Sequence, residues 1–312
     1  MTGLAQPAVS FGLVIFLWVL NSGAWADVGT PGSLTCGGAL KQGGIVVCRA
    51  EAGSSVDFGE MMVDVPDTGL ATFGLRRDAP PELEIKEVGG SGASLVFSIA
   101  PRKDPVRRIE GMDCDKVDAR SDAQKAHASR SWVKKTEAFQ RFDGSARLLA
   151  GFNWPTEGRP TSPFGPVRTY EGISAVTGEP CEKTSVHRGY DIAAPIGTPI
   201  IAPAAGTVIL AEDDLYYEGG TIFLDHGAGL VSVFMHMSDV DVAVGETVVL
   251  GQKLGAVGNT GRTTGPHLHW AVKWRDMGSD DRSRDRYIDP ELLVELGAEI
   301  WVGPGDQADG LP

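Results

Sequence analysis

The stretch from His187 to Trp270 opens with His187-Arg188-Gly189-Tyr190-Asp191. It passes through Leu230-Val231-Ser232-Val233-Phe234-Met235-His236 and closes with Gly265-Pro266-His267-Leu268-His269-Trp270. The middle segment is an apolar, β-branched run of strand length. In the last segment, residues two apart on a strand share a face, so His267 and His269 point one way and Leu268 the other. His187 and Asp191 are four apart with Gly189 between them. The chain has six histidines, and four of them sit in these three segments. A lone histidine in a strand is usually an ordinary core or surface residue, but four in such company beside an aspartate make the inventory of a metal site. Two neutral imidazoles and one carboxylate can hold zinc and leave its fourth position for water. His127, in a polar helical stretch, and His226, in Asp225-His226-Gly227, read as ordinary residues.

Around these segments, residues 199–201, 206–210, 221–224 and 247–250 are further short runs of strand composition. No helix of convincing length falls between them, so the fold class is all-β, with an antiparallel sheet over residues 149–296. At its end Asp289 and Pro290 fit the N-cap and first position of a short helix. The segment 171–185 reads as a long loop before His187, containing Cys181 and shaping one wall of a groove. Residues 297–312, rich in Gly, Pro and Asp, are expected to be disordered.

His187-Arg188-Gly189-Tyr190-Asp191, Phe234-Met235-His236-Met237 and the run from Gly258 to Trp270 (GNTGRTTGPHLHW) together resemble the lysostaphin-type, or LytM-like, zinc metallopeptidases, which cut peptide cross-links in bacterial cell walls. The resemblance covers about residues 150 to 295. It implies zinc ligands at His187, Asp191 and His269, and two catalytic histidines outside the ligand set at His236 and His267. All five positions hold the required residue type. The implied activity is a zinc metalloendopeptidase acting on peptidoglycan, with a D,D-endopeptidase cleavage in a Gram-negative periplasm as the first expectation. The alternative is a non-catalytic regulator of the same fold that activates a cell-wall amidase; relatives of that kind have lost ligands. A cofactor-carrier module is a third reading, because Val244 to Gly255 resembles a biotinyl or lipoyl hairpin. No lysine stands there at a plausible attachment turn with Met neighbours.

The remainder of the chain frames this domain. A formal net charge of −13 argues against a nucleic-acid or anionic-membrane partner. Residues 8–20 are an apolar run too short to span a bilayer comfortably, followed by Ala24-Trp25-Ala26. Although no Lys or Arg precedes the run, residues 1–26 read as a signal peptide cleaved after Ala26, leaving no integral span in the mature form. Residues 27–112 carry strand-length segments at 45–47, 60–65, 82–88 and 94–100, separated by Gly- and Pro-rich turns, and read as a small β-sandwich-like accessory domain. Residues 113–148 read as a linker helix, with Trp132, Phe139 and Phe142 as its apolar stripe. Four cysteines suit an oxidising compartment and allow three connectivities. The expected pairs are Cys36–Cys48, across a short hairpin, and Cys114–Cys181.

Overall fold

The computed structural model describes residues 34–114, 118–119, 121–141, 151–175, 177–276 and 281–296, together with two-residue strands at Ile15–Phe16 and Ala26–Asp27. The expected signal peptide therefore lies outside the described residues apart from Ile15, Phe16 and Ala26, as do Phe142 and the expected tail. Strands dominate, and the pairing is largely antiparallel.

The amino-terminal part holds β1 (Thr35–Gly38), β2 (Ile45–Arg49), β3 (Ser55–Asp57), β4 (Met62–Asp64), β5 (Leu70–Gly74), β6 (Glu82–Val88) and β7 (Ser94–Ser98). One sheet runs β1-β2-β5 and the other β7-β6-β3-β4. Along β6, Leu83, Ile85 and Glu87 face inward while their neighbours are exposed, the period of a half-buried strand. Glu87 is the polar member of that inner row. Burial pushes its pKa up, but bonds from Ser91, Glu51 and Ser54 outweigh this and hold it below the usual carboxylate range. Strand β5 was not legible in the sequence. All five of its residues are buried, so Leu-Ala-Thr-Phe-Gly shows no alternation to betray a strand. Cys36 and Cys48 are direct partners across β1 and β2, and they form a disulfide.

The carboxy-terminal part is built on a ten-stranded sheet. Its elements are β9 (Arg159–Ser162), β12 (Tyr190–Ala193), β13 (Pro199–Ile201), β14 (Gly206–Leu215), β15 (Gly219–Gly227), β16 (Leu230–Val240), β17 (Thr247–Val248), β18 (Lys253–Val257), β19 (Leu268–Trp274) and β20 (Arg286–Ile288). The main path runs β9-β12-β19-β16-β15-β14-β17, with β18 bridging β13 and β16, and β20 beside β19. As expected, Asp289 caps the closing helix α2 (Pro290–Glu295), accepting a hydrogen bond from the Glu291 amide.

Segment 171–185 is not a loop. It supplies most of a hairpin, β10 (Val167–Ile173) and β11 (Pro180–Val186), and β8 (Val106–Asp113) adds to β10 in parallel. Rich in Glu, Ser, Thr and Gly, the segment carries no hydrophobic pattern, because neither strand buries a residue on either face. Cys114, just past β8, is disulfide-bonded to Cys181 on β11.

The linker helix α1 (Asp122–Gln140) starts with a capping box between Ser121 and Gln124 and packs on β14. Its expected apolar stripe needs correction. Trp132 is 60% exposed and lies near Lys135, whereas Ser131 and Ala138 make the buried contact. Small side chains let the helix approach the strand closely, and Phe139 packs inward, its ring 5.2 Å from that of Phe223.

Strand β5 packs directly on β19 and β20. Thr72 Oγ1 donates to the Ala228 carbonyl at 2.5 Å and accepts from Trp274 Nε1 at 2.9 Å. Phe73 meets Trp274 edge-on, and a Cβ added at Gly74 would sit 2.8 Å from that of Trp274. Arg102 reaches across to Asp289 at 2.7 Å. One contiguous apolar cluster, from Leu34 through Phe73 to Trp274 and Leu296, spans both parts.

Candidate active site

Strand register assembles the site. Asp191 on β12 is the direct partner of His269 on β19, and Met235 on β16 flanks His269 from the other side. Side chains opposite one another in antiparallel strands share a face, so Asp191 and His269 converge. His187 precedes β12 and is anchored by its backbone, whose amide donates to Pro166 and whose carbonyl accepts from Gly165. The intervening Gly189 is required by space: a Cβ there would lie 2.5 Å from His269 Nε2.

His236 reaches the groove through an irregularity. The β15–β16 register shifts between Phe234 and Met237, and His236 has a φ of 66°, in the left-handed region. This bulge in β16 re-aims its side chain, at an energetic cost that the surrounding strands offset. The His236 amide donates to the Glu218 carbonyl, which holds the turn. His267 sits immediately before β19, and fully buried Leu268 points away, as the two-residue spacing requires.

Backbone carbonyls assign the tautomers. His187 Nδ1 donates to Pro163 at 2.8 Å, His236 Nδ1 to Thr260 at 2.9 Å and His267 Nδ1 to Gly265 at 2.8 Å. Each therefore keeps its lone pair on Nε2. His187 Nε2 lies 3.0 Å from Asp191 Oδ1 and 3.2 Å from His269 Nδ1, and His269 Nδ1 lies 2.7 Å from Asp191 Oδ1. Ligands about 2.0–2.1 Å from a tetrahedral zinc are separated by edges of roughly 3.3 Å, so these three atoms fit the group in chemistry and spacing. His267 Nε2 is farther from Asp191 Oδ1, at 3.8 Å, and the His236 and His267 rings are 4.9 Å apart beside the trio.

Burial alone would raise the pKa of Asp191, but the imidazoles of His187 and His269 packed against it hold the carboxylate well below its usual range. Burial pushes His269 down, and pushes His236 down to about 3 with further repulsion from His269 and His267. His236 is neutral at ordinary pH.

One supporting residue escaped the sequence reading. Arg168 on β10 donates to Asp191 Oδ2 at 2.9 Å and to Ser162 Oγ at 2.6 Å. It holds the carboxylate so that Oδ1 faces the imidazoles. No motif marks Arg168; its position is set by strand β10 and its pairing with β8 and β11. His226 has the structural role expected of it. Its Nδ1 donates to Ala205 and its Nε2 accepts from Ser232, which accepts from Trp270 Nε1. His127 Nε2 donates to the Asp214 carbonyl, remote from the trio.

The site opens into a groove of about 960 Å³, walled by β8, the β10–β11 hairpin, Tyr217–Glu218 and the loop from Arg262 to Pro266.

Residues 185–290 match the model of peptidase family M23. The chain is 41% identical over 117 residues to a Haemophilus influenzae protein described as an uncharacterized metalloprotease, covering 36% of this chain and 22% of that one. It is 38% identical over 91 residues to the peptidoglycan DD-endopeptidase ShyA of Vibrio cholerae, covering 29% of this chain and 21% of that one. Such matches span about a fifth to a third of the relatives' own length. A crystal structure of a peptidase M23 from Pseudomonas aeruginosa aligns with a TM-score of 0.56 and 29% identity over 83% of this chain and 96% of that one.

Proposed function

With a peptidase family M23 domain at residues 185–290, we propose that the chain is an exported, zinc-dependent endopeptidase hydrolysing peptide cross-links of peptidoglycan. The observation that carries this is the convergence of His187 Nε2, Asp191 Oδ1 and His269 Nδ1 next to two further imidazoles with free Nε2 lone pairs. A regulator of the same fold has no need of the complete set. The substrate class follows from the similarity to ShyA, a peptidoglycan DD-endopeptidase, and export rests on the apolar run before Ala24-Trp25-Ala26.

His187, Asp191 and His269 would hold the zinc. When bound, the metal supplies Lewis acidity, polarising the scissile carbonyl and making a bound water acidic near neutral pH. The two histidines add no negative charge and Asp191 adds one, so the site remains net positive and favours developing oxyanions. His236 and His267 are the groups that accept a proton from the attacking water, return it to the leaving amine, or donate to the oxyanion. In both, Nδ1 is committed to a backbone carbonyl, which leaves Nε2 for these proton transfers. Arg168 and Ser162 keep the ligand carboxylate oriented.

The purified mature chain should carry about one zinc per molecule, consistent with a single three-ligand site, and should cut isolated wall fragments at a stem-peptide amide, as read by mass. Chelation should abolish cleavage, and zinc should restore it. Unchanged fragments after incubation with the zinc-loaded chain would overturn the reading, and a purified chain that takes up no zinc would favour the regulator.

A further inference from the structure

The groove differs from the rest of the molecule in charge. In a chain of formal net charge −13, five arginines line it: Arg107, Arg108, Arg168, Arg188 and Arg262. Among the described residues, the carboxylates of its lining are Asp191 and Glu218. Both are engaged, Asp191 by Arg168 and the imidazoles and Glu218 by Lys135.

The arrangement of the arginines points to an anion. Arg107 and Arg168 are direct partners on the parallel strands β8 and β10. Neighbouring like charges on one face are unfavourable unless a counter-charge lies between or beside them. Asp191 answers Arg168, while Arg107 adds to the positive side of the balance. Arg108 is exposed at the groove edge with Glu171 at 2.5 Å. Arg188 lies over the Tyr287 ring and Arg262 over the Tyr217 ring, each about 5.1 Å from the centroid. The Tyr287 face positions the Arg188 guanidinium without cancelling its charge. Arg107 shares the strand face of Arg168 and stands on one wall of the groove, with the candidate metal ligands beside it, whereas Arg108, next in the strand, turns to the other face and pairs with Glu171.

We propose that this groove recognises free carboxylates on its peptide substrate, with Arg107 as a specificity-determining residue. The inference rests on the peptidase reading and narrows it to anionic, carboxylate-bearing cross-linked peptides. Forms in which the same carboxylates are amidated keep the scissile bond but lose the electrostatic attraction.

The test uses the full mature chain and two dye-labelled probes. Each probe is a pair of stem peptides joined by one amide, with side carboxylates free in the first and carboxamides in the second. Binding is read by fluorescence anisotropy at low and high salt. The free-carboxylate probe should bind about tenfold more tightly, the sum of two or three partly exposed ion pairs, with the advantage shrinking at high salt. The variant Arg107→Gln should still bind zinc and should reduce the advantage to about two- to fourfold by weakening the free-carboxylate probe alone. Equal binding of both probes by the unaltered chain would overturn the proposal, as would a variant that weakens both probes alike. Absence of hydrolysis with either probe would strike the peptidase reading, while the affinity ratio would still decide this inference.

Discussion

The roles proposed for His267, just before β19, and His269, on it, are separable, and this is where the site can be tested most sharply. His269 Nδ1 points into the donor trio, whereas His267 Nε2 stands 3.8 Å from Asp191 Oδ1. His269→Ala leaves two protein ligands, too few for a stable zinc site of this kind. It should lose metal and activity together. His267→Ala should retain zinc and still lose on the order of 10²-fold or more in rate, the usual cost of one acid–base or oxyanion group. Metal analysis and peptide cleavage on both variants check this, and the reverse pattern would exchange the two assignments. The sequence exposed the pair because a period of two is local. Arg168 was invisible to the same reasoning, since it acts on Asp191 from another strand and belongs to no motif.

At the level of elements, the β10–β11 hairpin depends on a covalent tie. Cys114 and Cys181 are separated by 67 residues and join the end of β8 to β11. Closing a loop of that length contributes about 4 kcal/mol in the chain-entropy model. Replacing both cysteines with serine should lower the urea midpoint and speed amide exchange in β8 and β11. Zinc should remain, because the candidate ligands lie on or beside β12 and β19. An unchanged midpoint with unchanged exchange would show that strand pairing alone holds this wall. The sequence predicts a loop over 171–185 because Glu, Thr, Ser and Cys in strands partly exposed on both faces carry no hydrophobic pattern.

For the whole molecule, the amino-terminal sheets and the ten-stranded sheet share one core. Phe73 and Thr72 on β5 lie against Trp274 on β19, and Gly74 leaves room only for its own hydrogen there. The two parts should therefore unfold together. Calorimetry should give one transition for the mature chain. Gly74→Val, which forces carbon against the Trp274 side chain, should shift that transition downward by about 1–3 kcal/mol rather than split it. Two resolved transitions in the unaltered chain would contradict a common core.

The residues of the candidate site were written in the sequence. His187 and Asp191 are spaced across a glycine, His267 and His269 share a strand face, and His236 ends a β-branched run. The alternation of Glu82–Val88 and the Asp289-Pro290 cap were equally plain. These signals are local, set by strand period and backbone chemistry over a few residues. Tertiary structure decided what depends on distant partners. It paired Asp191 with His269, turned His236 through a bulge, brought Arg168 behind Asp191 and placed Arg107 beside it. It also made a strand of Leu70–Gly74, whose burial on both faces removes the alternation by which strands are recognised. Register and two-sided packing arise from the summed contacts of the whole fold, so no short stretch of residues records them.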